Sequence, residues 1–412
     1  MTSADIDVTM RTIVADLGHD SLKPLTYTRS STDLEVGGQT VFEHIEDGLE
    51  EDVDVLVPEH LEEVTEMNSE LYNLEREVNP EIGGSVLLYN STVIPNDEIR
   101  RELGNLQSGE GLYHQENFIA GVTDDLEDFE DLEETINSMD RTEVSEEPAI
   151  LEYPWDMVEH NGGLIEQAFP GGEIKGMLSE DATVLGSREQ VYLGEDAEIA
   201  ANATIDTSEG PVYIGSGTKV WPNSRIEGPA YIGSDTKVGA GQNAVIHENT
   251  HVGDIARAGG ELEDAIMNSF SNKYHYGFLG HTVVGSWVNF GAGTTNSDLK
   301  NTYGTVQVDH PEDGKIEAGL KVGATIADHT KTDIGTNVYT GKQIGPVAKI
   351  ADKVTDDARP FTWQNPGEEA DYDPERATEH AERMMDRREE HLPEGYAEAQ
   401  KNLIRELSNN LR

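Results

Sequence analysis

From Leu178 to Ile350, aliphatic residues recur at every sixth position, many of them followed by a glycine and then by polar residues. Leu178 and Val184 open the series, and Leu193, Ile199 and Ile205 continue it. The longest run is Ile214, Val220, Ile226, Ile232 and Val238. The period resumes at Val284 and Phe290, then at Val322, Ile334 and Thr340 with Asp328 in phase, and finally at Ile344 and Ile350. YIGSGTKV at Tyr213–Val220 returns as YIGSDTKV at Tyr231–Val238, three six-residue units later. A period of six matches neither the helical 3.6 nor the strand period of 2. It fits short strands joined by tight corners, with one aliphatic side chain per unit pointing inward and three units closing a triangular coil. Each inward aliphatic contributes ~1.5–3 kcal/mol, and the glycines after the aliphatics (Gly194, Gly215, Gly233, Gly253, Gly285, Gly323, Gly335 and Gly345) suit the turns, where positive φ is inexpensive. The pattern predicts a parallel β-helix over residues 178–355.

Three interruptions, Thr207–Val212, Arg257–Asn272 and Asn296–Lys315, are expected as loops on the side of the solenoid. Residues 1–165 read differently. TIVAD (Thr12–Asp16), VDVLV (Val53–Val57) and SVLLY (Ser85–Tyr89) are short apolar strands separated by acidic, helix-like segments, the signature of an α/β domain with parallel strands. The acidic stretch Asp124–Val144 reads as a solvated helix or linker, and Pro148 and Pro154 mark a boundary. The last segment, 366–412, predicts a helical tail. Asp373 is the N-cap and Pro374 the first helical residue, Pro393-Glu394-Gly395 is a break, and a second helix over Tyr396–Leu411 has Leu403, Ile404, Leu407 and Leu411 on one face. The tail reads as a cap or subunit contact for the solenoid.

Composition narrows the function. Among 412 residues, 81 Asp and Glu face 29 Lys and Arg, a net charge of −52. Nucleic acid and anionic membranes are repelled by such a surface. There is no cysteine, which excludes disulfides, thiolate metal sites and thiol nucleophiles. No apolar run reaches the ~18 residues a membrane span requires, and MTSADIDVTMRTIVAD lacks the basic-then-apolar order of a secretory leader. The reading is a cytoplasmic protein of a salt-loving organism.

Candidate chemistry concentrates in SNKYHYGFLGHTVVGSWVNFGAG, Ser271–Gly293. An imidazole with a pKa near 6.5 is the usual base for taking a proton from an attacking amine, and His275 sits at the centre of this stretch. Hexapeptide repeats of this form resemble the left-handed β-helices of acyl- and acetyltransferases. Lys273-x-His275-x-x-Phe278-Leu279-Gly280, followed by Val284-Gly285-x-x-Val288-Asn289-x-Gly291-Ala292-Gly293-Thr294, resembles the acetyltransferase half of the bifunctional glucosamine-1-phosphate acetyltransferase/N-acetylglucosamine-1-phosphate uridylyltransferase family. The resemblance implies His275 as the catalytic base, with Asn301 of Asn301-Thr302-Tyr303-Gly304 orienting it or the amine. It places Phe278, Asn289 and Tyr303 near the sugar, and Ala292 and Ala324 at the coenzyme A slot. The family's phosphate-binding arginine and its Lys-Lys pair have no counterparts here, since Gln242–His247 and Glu263-Asp264 occupy those places. Arg257, Lys273 and Lys300 remain as basic candidates for the sugar phosphate. Acetyl-CoA is the implied co-substrate, with no metal at this site, and the implied assembly is a homotrimer. A zinc lyase built on this fold needs histidines set for one metal, and His247, His251, His275 and His281 do not have that spacing.

The segments Asp20–Ser30 and Leu34–Ile45 resemble the opening of sugar-nucleotide pyrophosphorylases, in which a glycine loop wraps nucleotide phosphates. Only Gly18 of that loop is present. Ser21 and Ser31 stand where the family has Arg and Lys, and Ser91 stands near the place of its magnesium-binding Asp. Sugar-1-phosphate nucleotidyl transfer, with Mg²⁺ and a nucleotide, is thus a second reading, and a non-catalytic assembly module a third. The charge makes its own prediction. Because ~1 M salt shortens the screening length to ~3 Å, the melting temperature should rise from dilute to molar KCl, which differential scanning fluorimetry across a KCl series reads directly.

Overall fold

The computed structural model describes residues 10–240 and 243–411. Most of the stretch read for a leader, and Gln242, lie outside the described residues. The chain divides into two compact units, one made of 1–18, 30–33 and 41–150, the other of 19–29, 34–40 and 151–412.

The first unit is built on a six-stranded sheet. Arg11–Ala15 lies at the centre of its parallel half, between Val53–Leu56 and Val86–Asn90. The three apolar runs read from the sequence are these three strands. Beyond them the sheet turns antiparallel at Asn117–Thr123, and its far edge is Asp140–Glu143. The acidic stretch is therefore partly ordered, with a short helix Leu132–Asn137 ahead of that edge strand. Leu132 and Met139 are buried in the apolar cluster on Ile13, Ala15 and Leu88.

The second unit contains the β-helix. One face has nine parallel strands, from Glu173–Ile174 to Gln343–Ile344. The other two have six each, ending at Asn272–Lys273 and Phe278–Gly280. Tyr213 pairs with Tyr231 and Lys219 with Lys237, each one coil of eighteen residues apart. Ile214, Ile226, Ile232, Val238 and Ile246 line the interior with no exposure. The same register stacks what points outward, as in the rings of Tyr192, Tyr213, Tyr231 and His251, whose centroids lie 4.6–5.0 Å apart.

Two expectations change. Arg257–Asn272 is a coil, not a loop. It contributes the strands Arg257–Ala258, Gly260–Glu263 and Ile266–Met267, with Ala258, Leu262 and Met267 inward. This coil is shorter, since His251 pairs with Ile266 fifteen residues on, and that breaks the six-residue count. After the third interruption the inward positions are Ile326, Thr332, Val338, Ile344 and Ile350. Ile334, read as inward, is 75% exposed at a corner, because polar Thr332 hides the true phase. Asp328 is buried beside Arg29, and Val322 packs on Val306 and Val308 of a hairpin. The third interruption does project, as the antiparallel pair Val306–His310 and Gly314–Gly319.

The tail forms helix Pro374–Met385, a 3₁₀ segment Asp386–His391 and helix Tyr396–Asn410. Asp373 caps the first through the amide of Arg376. The Tyr396 hydroxyl accepts a hydrogen bond from the Trp287 indole, 3.2 Å away, on the solenoid. Segments 19–29 and 34–40 also belong to this unit. Arg29 and Thr28 both donate to Asp328 (2.8–3.0 Å), and Glu35 accepts from the Ser269 amide and hydroxyl. Burial alone would raise the Glu35 carboxyl, but the hydrogen bond and charge of His251, with the Ser269 amide, hold it below its ordinary value.

Two isoleucines separate the readings. Ile232→Ala should cost about 2–5 kcal/mol because its coil cannot collapse around the void. Ile334→Ala at the exposed corner should stay within about 0.5 kcal/mol of the parent. Urea titration at molar KCl compares them.

Candidate active site

His275 stands exposed at a corner of the solenoid, between the strands Asn272–Lys273 and Phe278–Gly280. Its ring meets Tyr274 edge-on at 5.3 Å. The corner is pinned from inside. Lys273 is 1% exposed, and its ammonium donates to the carbonyls of His275 (2.7 Å), Gly259 and Gly277 (both 3.3 Å). Burial lowers its pKa to about 8. Lys273 is therefore not free to hold a sugar phosphate, as the sequence suggested; it holds the backbone that carries His275.

The next coil lies directly below. The Gly293 amide donates to the Tyr276 carbonyl, and the Phe278 amide to the Thr295 hydroxyl. Gly293 is required there. Its φ is +79°, and a Cβ would sit 2.9 Å from the Tyr276 hydroxyl. Ala292 occupies the same half-exposed corner, whereas Ala324 is 1% exposed inside the solenoid core. Its methyl is inward because position 324 lies on the apolar side of its coil, so only Ala292 of the two alanines faces outward. Phe278 is half-buried with its ring against Gly280. The Asn289 side-chain oxygen accepts from Asn272 at 2.7 Å. Starting at Thr295, a cleft of roughly 600 Å³ opens between the strands Thr295–Asn296 and Asn337–Val338 and the loop carrying Lys300 and Asn301. The Lys300 ammonium donates to the Thr305 carbonyl (2.6 Å), and Tyr303 is 75% exposed on that loop. Arg257 lies over the Tyr274 ring, 5.6 Å from its centre.

The coil that carries His275 thus lies on the coil that carries Ala292 and Thr295, where the cleft bearing Lys300 and Asn301 begins, and His275 itself is not among the residues lining that cleft. Tyr274 and Tyr276, which the sequence reading did not single out, frame the histidine. Their only sequence signal is that they flank it. The other histidines have separate partners. His251 is buried on Glu35, His247 pairs with Glu227 (2.7 Å), and His281 pairs with Asp298 (2.9 Å). Among the described residues, the two groupings able to surround a metal ion, Glu227/His247/Glu248 and Glu263/Asp264/His281, contain one histidine each.

In the first unit, Ser31 and Ser91 come together as their places in the motif implied, hydroxyl to hydroxyl at 2.8 Å. Ser31 also donates both its amide (3.1 Å) and its hydroxyl to Asp16, and the Gly18 amide donates to Ser91 (3.3 Å). Burial pushes the Asp16 carboxyl up to about 7, against the pull of the Ser31 hydrogen bonds. Mg²⁺ binds ionised carboxylate oxygens. Asp16 has one oxygen on Ser31 and leaves Oδ2 buried without a hydrogen-bond partner, so it is the one residue of this network that would offer Mg²⁺ a carboxylate oxygen.

Residues 12–172 match the family model described as sugar nucleotidyl transferase. The chain is 28% identical over 189 residues to the bifunctional protein GlmU of Carboxydothermus hydrogenoformans, covering 41% of this chain and 40% of the relative. Against GlmU of Methanococcus vannielii it is 26% identical over 287 residues, 65% of this chain and 62% of the relative. Against a bifunctional sugar-1-phosphate nucleotidylyltransferase/acetyltransferase of Sulfurisphaera tokodaii it is 27% identical over 198 residues, 48% and 43%. The chain is similar to the GlmU-like bifunctional family, and it spans less than two thirds of the length of these relatives.

Asp16 gives this site its test. A carboxyl raised from 3.8 to about 7 binds its proton more tightly in the folded chain, so stability falls as pH rises between these values. Asp16→Asn keeps the acceptor for Ser31 and removes the ionisation. It should match the parent near pH 4 and exceed it in stability at pH 7, read by denaturant unfolding at both pH values.

Proposed function

We propose that the solenoid transfers an acetyl group from acetyl-CoA to the amine of an amino-sugar 1-phosphate, a step of sugar-nucleotide biosynthesis. The observation that carries this reading is the His275 corner: an exposed imidazole on a backbone locked by Lys273, on a strand pair whose Phe278 amide donates to Thr295, where a cleft of roughly 600 Å³ begins. The similarity to bifunctional GlmU proteins agrees with it.

The sugar amine attacks the thioester carbonyl, forming the C–N bond. His275 takes the amine's proton, and the carbon–sulfur bond breaks to release the coenzyme thiolate, which takes that proton back from the imidazolium. Lys273 acts as a positioning residue, because its three carbonyl bonds fix where the imidazole projects. Asn289 and Phe278 lie on the coils next to His275 for contact with the sugar, and Asn301 lies on the loop that walls the cleft for orienting the amine. Tyr303, on the same loop, completes the sugar-side set, and Ala292 sits at the coenzyme's edge. In this reading the solenoid works as a homotrimer in the cytoplasm of a salt-loving cell, and a neighbouring copy covers the exposed face of His275.

A second reading, nucleotidyl transfer by the first unit, is favoured by the family match over residues 12–172. The serine network on Asp16 supplies none of the cations that neutralise phosphates, so we assign that unit no step.

His275→Ala should lower kcat for acetyl transfer by ~10²–10⁴. The measurement is thiol release from acetyl-CoA at molar KCl with glucosamine 1-phosphate and other amino-sugar phosphates. Unchanged turnover removes His275 from the chemistry.

A further inference from the structure

The cleft that begins at Thr295 runs against the charge of the chain. Nearly one residue in five of the protein is Asp or Glu, yet none of the twelve residues lining this volume of roughly 600 Å³ is acidic. Two of them are lysines, Lys300 and Lys353. Only Leu299 and Val338 are aliphatic, and the others offer amides and hydroxyls. A random sample of this surface would include carboxylates. Here the local field has the opposite sign to that of the whole protein.

The two lysines reach the cleft from different parts of the chain. Lys300 lies on the projecting loop, and its ammonium gives one hydrogen bond, to the Thr305 carbonyl at 2.6 Å. Lys353 is held on the coil next to the strand Asn337–Val338. The Val354 amide donates to the Asn337 carbonyl (2.8 Å), and the Tyr339 amide to the Val354 carbonyl (3.0 Å). The Lys353 ammonium stands 5.4 Å from the centre of the Tyr339 ring. Among the described residues neither lysine has an ion pair, whereas Lys321, Lys342 and Lys401 meet carboxylates. An ammonium has three N–H donors. Lys300 uses one of them on the protein and Lys353 none. Two cations lining one concave space repel each other, and the walls concentrate their field inside it. A ligand with negative charge spread over several oxygens relieves that repulsion.

We infer that this cleft binds a phosphate carried on a sugar ring, with Lys300 and Lys353 as the paired cations and Asn301 and Asn337 supplying amides for the ring hydroxyls. Ammonium groups on flexible stems can each turn several donors to the oxygens of a phosphate monoester. Amide and hydroxyl walls give and accept hydrogen bonds, as a polyol requires. Gln242–His247 and Glu263-Asp264 lack the basic residues that the resemblance led one to look for, and the two charges come from later coils instead. The rest of the ligand extends past Thr295, whose hydroxyl accepts from Phe278 on the coil of His275. Only the ligand's identity rests on the acetyl-transfer reading. Glucosamine 1-phosphate and the 3′-phosphoribose of coenzyme A both have this chemistry.

The test is calorimetric titration of the full chain at molar KCl with glucosamine 1-phosphate, glucosamine, coenzyme A and dephospho-coenzyme A, for the parent and for Lys353→Glu, Lys353→Arg and Lys300→Met. Charge-assisted hydrogen bonds of this kind are worth roughly 10- to 100-fold in affinity. Lys353→Glu and Lys300→Met should each weaken binding by about that factor, for glucosamine 1-phosphate but not glucosamine, for coenzyme A but not its dephospho form, or for both; the pair that responds identifies the source of the phosphate. Lys353→Arg should keep most of the affinity. Because Lys353 is exposed and has no ion pair, Lys353→Glu should melt as the parent does without ligand, which separates lost binding from lost folding. Parent-like affinity for the phosphorylated ligands in either Lys353→Glu or Lys300→Met overturns the site. So does equal weakening of both members of a pair, or a parent that distinguishes neither pair. Phosphate-dependent binding that Lys353→Glu removes, with no acetyl transfer by the parent to any amino sugar, would sink the transfer reading and leave the site standing. Acetyl transfer with parent-like KM values in Lys353→Glu would do the reverse.

Discussion

Everything in the second unit follows from the register of the parallel coils. Eighteen residues return the chain to the same edge of the triangle, so whatever the sequence puts at one position it also stacks on the next coil. Inside, this gives a column of fully buried aliphatic side chains, mostly Ile and Val. Outside, it gives a tyrosine ladder on one face and a lysine-arginine column on another. The interior favours the stacking and so imposes it on the exterior, where stacked cations are tolerated only at a cost. A solenoid is thus suited to building extended one-sign surfaces that an isolated hairpin would not hold.

The corner of His275 shows how such a scaffold handles a polar site. A lysine inside a solenoid would ordinarily be a defect. Here its ammonium replaces an aliphatic side chain and donates to three carbonyls of the corner, of which that of Gly277 also accepts from the Glu261 amide. The catalytic candidate is on the outside of the corner and its fixing group on the inside, two residues away. Rigid placement of this kind is what a proton-transfer group requires.

The architecture was legible because its period is long, regular and carried by residues that bury completely. Ile214 to Val238 could be read by counting alone. The reading failed where polar residues took the inward place, as at Thr332, and where a coil shortened, as between His251 and Ile266. Both disrupt the count without disrupting the fold. The histidine corner was legible through a motif, but the inward turn of Lys273 and Ala324 was not, because their direction depends on the phase of a coil whose neighbours are irregular. The first unit was legible in its three central strands. Ser31 and Ser91 were found by their places in a motif whose charged residues they replace, and only the structure shows them bonded to each other and to Asp16.

The buried pair of Arg29 and Asp328 joins positions 299 residues apart, with both side chains nearly inaccessible to water. During synthesis the guanidinium emerges long before its counter-ion exists. Segment 19–29 therefore cannot settle into its final surroundings until most of the solenoid has been made and wound. A nascent chain arrested short of Asp328 would leave an ionic group with no place in a dry interior, so docking of this early segment is a check that the late coils have been completed.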